Sequence, residues 1–197
     1  MNFLAHAYLS FDTPHLVVGN FLGDILRHSE AQNMPEPIRK GIRLHRLIDS
    51  YTDKHPAIKA GTARVRPFHR KYAPVVVDMY YDYLLAIHWD DYHEMPLPQF
   101  SRSIYGILES HLDIMPERLQ ERVPRMIVGD WLTSYGTPEG MTYAFERVKY
   151  RVSKPEWLEN AFGHLINYWE DFAKDFSDFF PDLVEYVKGE IILLELS

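Results

Sequence analysis

Proline and glycine cut this chain into pieces of about helix length, and inside most pieces apolar residues recur three and four positions apart. That period keeps one side of a helix on a core, whereas a half-buried strand needs strict alternation. The spacing predicts helices over residues 2–9, 14–26, 37–53, 74–92, 98–113, 117–135 with a kink at Pro124, 138–152 and 155–179, and a short one after Pro181. The 37–53 piece keeps Ile38, Ile42, Ile48 and Tyr51 near one side. It stops before Pro56, because a residue preceding proline is pushed out of helical geometry. Residues 74–92 are apolar or aromatic nearly all round, as suits a central helix. Residues 156–197 hold ten acidic and two basic side chains among many aromatics, the make-up of an amphipathic outer layer. With no repeat, low-complexity tract or linker, the expectation is an all-α, single-domain helical bundle over residues 1–197.

The chain has no cysteine, which removes thiolate zinc sites, iron–sulfur clusters and cysteine nucleophiles together. Any metal must use His, Asp, Glu or Asn. No apolar run reaches the roughly 18 residues of a membrane span, and no basic leader opens the sequence, so a soluble cytoplasmic protein is expected. A net charge of -7 argues against general nucleic-acid binding. Yet residues 39–71 carry ten basic and two acidic side chains, a local +8 that leaves the remainder at -15 within the total of -7. Such a stretch suits a phosphate or an acidic partner, with Lys40 and Arg64 as exposed contributors, or a solvated helix face. No glycine-rich phosphate loop is present.

The chemistry is carried by a repeated spacing. Asn2 and His6, Asn20 and Asp24, His45 and Asp49, and Asp78 and Asp82 stand four residues apart, so each pair shares a helix face. Several sit among apolar neighbours, where an unpartnered carboxylate is costly. Helical bundles bind metals by aiming such side chains inward from several helices. Sulfur-free His and carboxylate sets suit Mn²⁺, Fe²⁺, Zn²⁺ or Mg²⁺, and oxygen-rich ones favour Mn²⁺ or Mg²⁺. Asp78 and Asp82 repel at this spacing unless a cation or a shared proton intervenes. Buried hydrogen-bond networks without any metal would also use such pairs.

The blocks Asn2-Phe3-Leu4-Ala5-His6, Gly19-Asn20-Phe21-Leu22-Gly23-Asp24, Gly41 to Asp49 with Thr52-Asp53, and Asp78-Met79-Tyr80-Tyr81-Asp82 with His88-Trp89 resemble the acyl carrier protein phosphodiesterases. The resemblance covers roughly the first 90 residues and implies a divergent, all-helical, HD-domain-like metal-dependent phosphohydrolase. It implies removal of 4'-phosphopantetheine from the serine of holo-acyl carrier protein, with Mn²⁺ preferred. The HD doublet of that wider superfamily is absent, since Arg46 follows His45, and Tyr83 stands where many relatives carry His.

On this resemblance the metal candidates are His6, Asp24, His45, Asp49, Asp78 and Asp82. Lys40, Arg43 and Arg46 are assigned to the phosphoryl oxygens. Asp24, His45 and Arg46 are read as catalytic, with His88, or else His55, supplying the proton to the leaving oxygen. An acidic carrier protein would be steered toward the +8 segment. Two other readings stay open: an HD-like hydrolase of a small nucleotide or other phosphodiester, and a non-catalytic helical module that docks an acidic partner.

Overall fold

A computed structural model describes residues 2–196, and these contain α-helices and short 3-10 turns with no strand. The helices are α1 (Phe3–Tyr8), α2 (Pro14–Gly23), α3 (His28–Gln32), α4 (Glu36–Lys54), α5 (Pro56–His69), α6 (Ala73–Ile87), α7 (Leu97–Glu109), α8 (Glu117–Gln120), α9 (Arg122–Val128), α10 (Trp131–Ser134), α11 (Pro138–Lys149), α12 (Ala161–Asn167) and α13 (Trp169–Leu196). One continuous hydrophobic cluster runs from Leu4 to Leu194. The all-α, single-domain expectation holds. None of the described helices is long and apolar enough to cross a membrane.

The centre of the fold is α6, whose residues from Met79 to Ala86 are all buried, as the absence of a polar side in the sequence foretold. Against it lies α1, which at six residues is too short to be a stable helix alone. Asp82 of α6 holds it. Its two carboxylate oxygens accept hydrogen bonds from the backbone N–H groups of Leu4 (2.9 Å) and Ala5 (3.1 Å), donors that a helix start leaves without partners. On the other side of the site, α2 and α4 cross almost backbone to backbone. A Cβ on Gly19 would stand 2.2 Å from the Ile38 carbonyl oxygen and 2.6 Å from Gly41 Cα. Only two glycines at this crossing let the helices approach so closely.

The segmentation departs from expectation where proline was read as a stop. Pro56 ends α4 but also opens α5, a helix the sequence reading missed: a first-turn proline lacks only an N–H that would have no partner there. For the same reason Pro124 sits in the first turn of α9 and is no kink, and residues 117–135 form three short helices. Asp130, at φ 40°, makes the left-handed turn between α9 and α10. The expected 155–179 helix breaks at Asn160 (φ 52°), and α13 then runs straight through Pro181. An interior proline costs about 3 kcal/mol. Phe179, Phe180 and Leu183 are fully buried beside it, and each such side chain contributes about 1.5–3 kcal/mol, so packing wins. This helix is therefore less an outer layer than expected: its aromatic side completes the core, and most of its acids face out, though the half-buried Asp175 does not.

Candidate metal centre and adjoining cleft

Four of the polar residues converge because α1, α2 and α4 converge. His6 (4% exposed), Asn20 (1%) and His45 (6%) are buried, and Asp49 closes the group at the surface, half-buried. The imidazoles of His6 and His45 stack at 4.3 Å. His45 also presses on Gly23, where a Cβ would fall 2.5 Å from the ring.

The hydrogen bonds fix which nitrogen of His6 is free. Asn20 donates its amide N–H groups to the His6 carbonyl (2.9 Å) and Ser10 Oγ (3.1 Å), so its Oδ1 must accept from His6 Nδ1 at 2.7 Å. In the neutral ring the proton is then on Nδ1 and Nε2 keeps its lone pair. Burial lowers the His6 pKa, with the neighbouring His45 acting in the same direction against the pull of Asp49, which favours that neutral ring. Nε2 nevertheless lies 3.2 Å from Asp49 Oδ1 and makes no hydrogen bond of acceptable geometry. Asp49 Oδ2 lies 3.0 Å from His45 Nε2, while His45 Nδ1 is buried without a partner. Burial opposes ionisation of Asp49, but the two imidazoles outweigh it and hold the carboxyl far below the usual carboxylate range.

A lone pair facing a carboxylate at contact distance calls for a cation between them. One ligand atom from each of His6, His45 and Asp49 lies within 4.8 Å of the others, and ligands about 2.1 Å from a first-row ion stand about 3–4 Å apart. The Asn20 bond to His6 Nδ1 is the outer support that metal-bound histidines ordinarily have. The donor set fits a divalent cation.

The other metal candidates are placed differently. Asp24 is exposed at the mouth: it lines the small pocket over His6 and His45 and also an adjoining cleft of about 240 Å³. Asp78 lines that cleft from α6. Asp82 does not join His6, His45 and Asp49, because it is wholly buried and both its oxygens are engaged by α1. Burial pushes its pKa up to about 7, against the two backbone bonds that favour the carboxylate. Of the six metal candidates, the structure thus brings together His6, His45 and Asp49, with Asp24 at the rim, Asp78 in the cleft and Asp82 buried apart.

The basic residues of 39–71 are also elsewhere. Arg43 is bonded to Glu36 at 2.8 Å, and Arg43 and Arg46 line a separate groove with Arg39 and His28. Lys40 is partly buried and lines neither pocket of the site. Arg64 is no free surface charge: it pairs with Asp175 at 2.7 Å beneath the Phe172 ring. His88 is exposed past the end of α6, 3.7 Å from Asp91, and His55 caps α5, so neither reaches the metal centre. The cleft instead presents Arg122, Arg147 and Arg151, with Asn2, Phe3 and Tyr135. These arginines were missed because they come from the later half, although Arg147 and Arg151 have the same four-residue spacing that marked the pairs.

Fold and site together define an all-helical protein with a candidate His₂–carboxylate centre beside an arginine-walled cleft. A sequence model of the family described as "Acyl carrier protein phosphodiesterase" matches residues 1–183, and the chain belongs to that family. Curated relatives of that name include those of Pectobacterium atrosepticum and Enterobacter sp. strain 638, 29% and 28% identical over 191 residues that cover 96% of this chain and 99% of each relative. The Yersinia pestis relative is 27% identical over 193 residues, covering 98% of this chain and all of its own. No solved structure is significantly similar.

Proposed function

We propose that this chain is a metal-dependent phosphodiesterase that hydrolyses the link between 4'-phosphopantetheine and the serine of holo-acyl carrier protein, in the cytoplasm, on an HD-like helical scaffold. The observation that carries the reading is the buried His6 lone pair opposed to Asp49, in a chain whose relatives bear the phosphodiesterase name. His6 Nε2, His45 and Asp49 would hold the cation, with Mn²⁺ first choice and Mg²⁺ or Fe²⁺ next. A bound divalent cation lowers the pKa of water and polarises a phosphoryl oxygen. Asn20 keeps the His6 proton on Nδ1. Asp24, exposed and lining both pocket and cleft, would orient the attacking water or help hold the cation. Burying the imidazoles behind Phe3 removes competing water from their side of the centre.

The test is incubation of the protein with holo-acyl carrier protein and Mn²⁺, read as the intact mass of the carrier. Conversion to the apo form by wild type, and its absence for Asp49→Ala that is still folded by circular dichroism, is the expected result. Unchanged carrier mass across Mn²⁺, Mg²⁺ and Fe²⁺ refutes the reading.

A further inference from the structure

Two basic side chains drawn partly out of solvent have an acid beside them: Arg64 has Asp175 and Lys149 has Glu146. Arg122 and Arg147, both half-buried, break the pattern, and the exposed Arg151 stands with them. No carboxylate among the described residues lies within ion-pair distance of them, yet all three line the cleft that shares Asn2, Phe3 and Asp24 with the pocket over His6. Asp24 acts on Arg122 only at longer range. Two of the guanidinium groups are held by aromatic faces: Arg147 lies 2.9 Å from the Trp131 ring centre, and Arg122 lies 5.7 Å from that of Phe3 and 5.8 Å from that of Trp131. A guanidinium over an aromatic face keeps its N–H edge able to bind oxygen. Burial, then repulsion from Arg151 and Arg147, disfavours the charge on Arg122. Three arginines share this cleft with only two carboxylates, Asp24 and Asp78, neither within ion-pair distance of them, so the arginine wall is open to an anion.

We propose that Arg122, Arg147 and Arg151 form a phosphate subsite, which seats the phosphoryl group beside the metal centre and retains the phosphomonoester once the ester is cut. This rests on the phosphodiesterase reading. In the hydrolysis a water oxygen bonds to phosphorus, the ester P–O bond breaks, and a proton returns to the leaving oxygen. The substrate phosphodiester carries one negative charge and the phosphomonoester product close to two at neutral pH. A three-arginine cradle therefore favours product over substrate, and the enzyme is inhibited by its own product and by inorganic phosphate.

The test is a calorimetric titration of inorganic phosphate into chelator-treated, metal-free protein, so that the readout needs no metal and no turnover. Arg151 is exposed, so Arg151→Gln should fold normally, and its melting temperature verifies this alongside Arg147→Gln. Each should weaken phosphate binding roughly tenfold or more, the usual cost of losing a charged hydrogen bond, while Lys188→Gln on α13 leaves it unchanged. Failure of wild type to bind phosphate, or equal affinity in the arginine variants, overturns the subsite. Arginine-dependent phosphate binding without any carrier cleavage keeps the subsite and refutes the phosphodiesterase reading. Mn²⁺-dependent cleavage with phosphate binding indifferent to the arginines does the reverse.

Discussion

Replacing Gly19 by alanine tests whether the site depends on the close crossing of α2 and α4. In a helix interior the change should by itself stabilise the protein by about 1 kcal/mol, because alanine is the better helix former. At Gly19 the new methyl would meet the Ile38 carbonyl oxygen at 2.2 Å and Gly41 Cα at 2.6 Å, where carbon contacts ordinarily sit near 3.5–4.0 Å. The helices must separate by about 1 Å, and overpacking of this kind costs roughly 1–3 kcal/mol. The net effect is a loss of up to about 2 kcal/mol. Two glycines supply the control. Gly106 in α7 and Gly189 in α13 have nothing within 4 Å of an added Cβ, so alanine there should stabilise by about 0.4–1 kcal/mol. Urea denaturation of the three variants checks the sign. Because α2 carries Asn20 and α4 carries His45 and Asp49, Gly19→Ala should also weaken Mn²⁺ binding and lower carrier turnover, since a displacement near 1 Å can cost on the order of 10²-fold in rate. Stabilisation by Gly19→Ala equal to that of Gly106→Ala would refute the argument from the crossing.

Asn20→Ala should weaken Mn²⁺ affinity by about 10- to 100-fold while leaving a folded protein, since it frees the His6 ring without removing a ligand; calorimetry with Mn²⁺ decides this. Asp82 gives a pH signature. Its folded pKa of about 7 exceeds its ordinary 3.8, so between those values the folded state holds a proton that the unfolded chain has released. Stability should therefore fall as pH rises through that window, by roughly 4 kcal/mol in all, and flatten on either side. Chemical denaturation of metal-free wild type and Asp82→Asn from pH 4 to 8 should show the variant lacking most of that slope. Arg64→Ala should lower stability by about 1–3 kcal/mol through loss of the Asp175 pair and the Phe172 contact, whereas Lys40→Glu should leave the melting temperature nearly unchanged.

The helical class was legible because periodicity is a local property. The missed α5 and the three pieces of 117–135 show its limit: a proline looks the same whether it ends one helix or opens the next. Site legibility followed the same line. His45 and Asp49 share a face of one helix, so their spacing found them, and His6 and Asn20 were marked by polarity in apolar surroundings. Which pairs would meet was not local. It was decided by Gly19 against Gly41 and by the capture of α1, and Asp82, whose repulsion from Asp78 suggested a cation, was engaged by two N–H groups contributed from 78 and 77 residues away. The arginines of the cleft lie outside the blocks that carried the resemblance, and only the fold brings them to the cleft that shares Asn2, Phe3 and Asp24 with the His6 pocket.

The dependence of α1 on Asp82 also orders events in time. During synthesis, residues 2–49, with every atom of the His6–His45–Asp49 group, leave the ribosome before α6 does. The peptide holding His6 has no lasting helical form until a carboxylate some eighty residues downstream reaches it. On the metal-centre proposal, the nascent chain would therefore meet an ion with its histidines still loose and separate. Selection of an ion by the shape of the proposed site would begin only after α6 has emerged and docked, on the folded chain and not during translation.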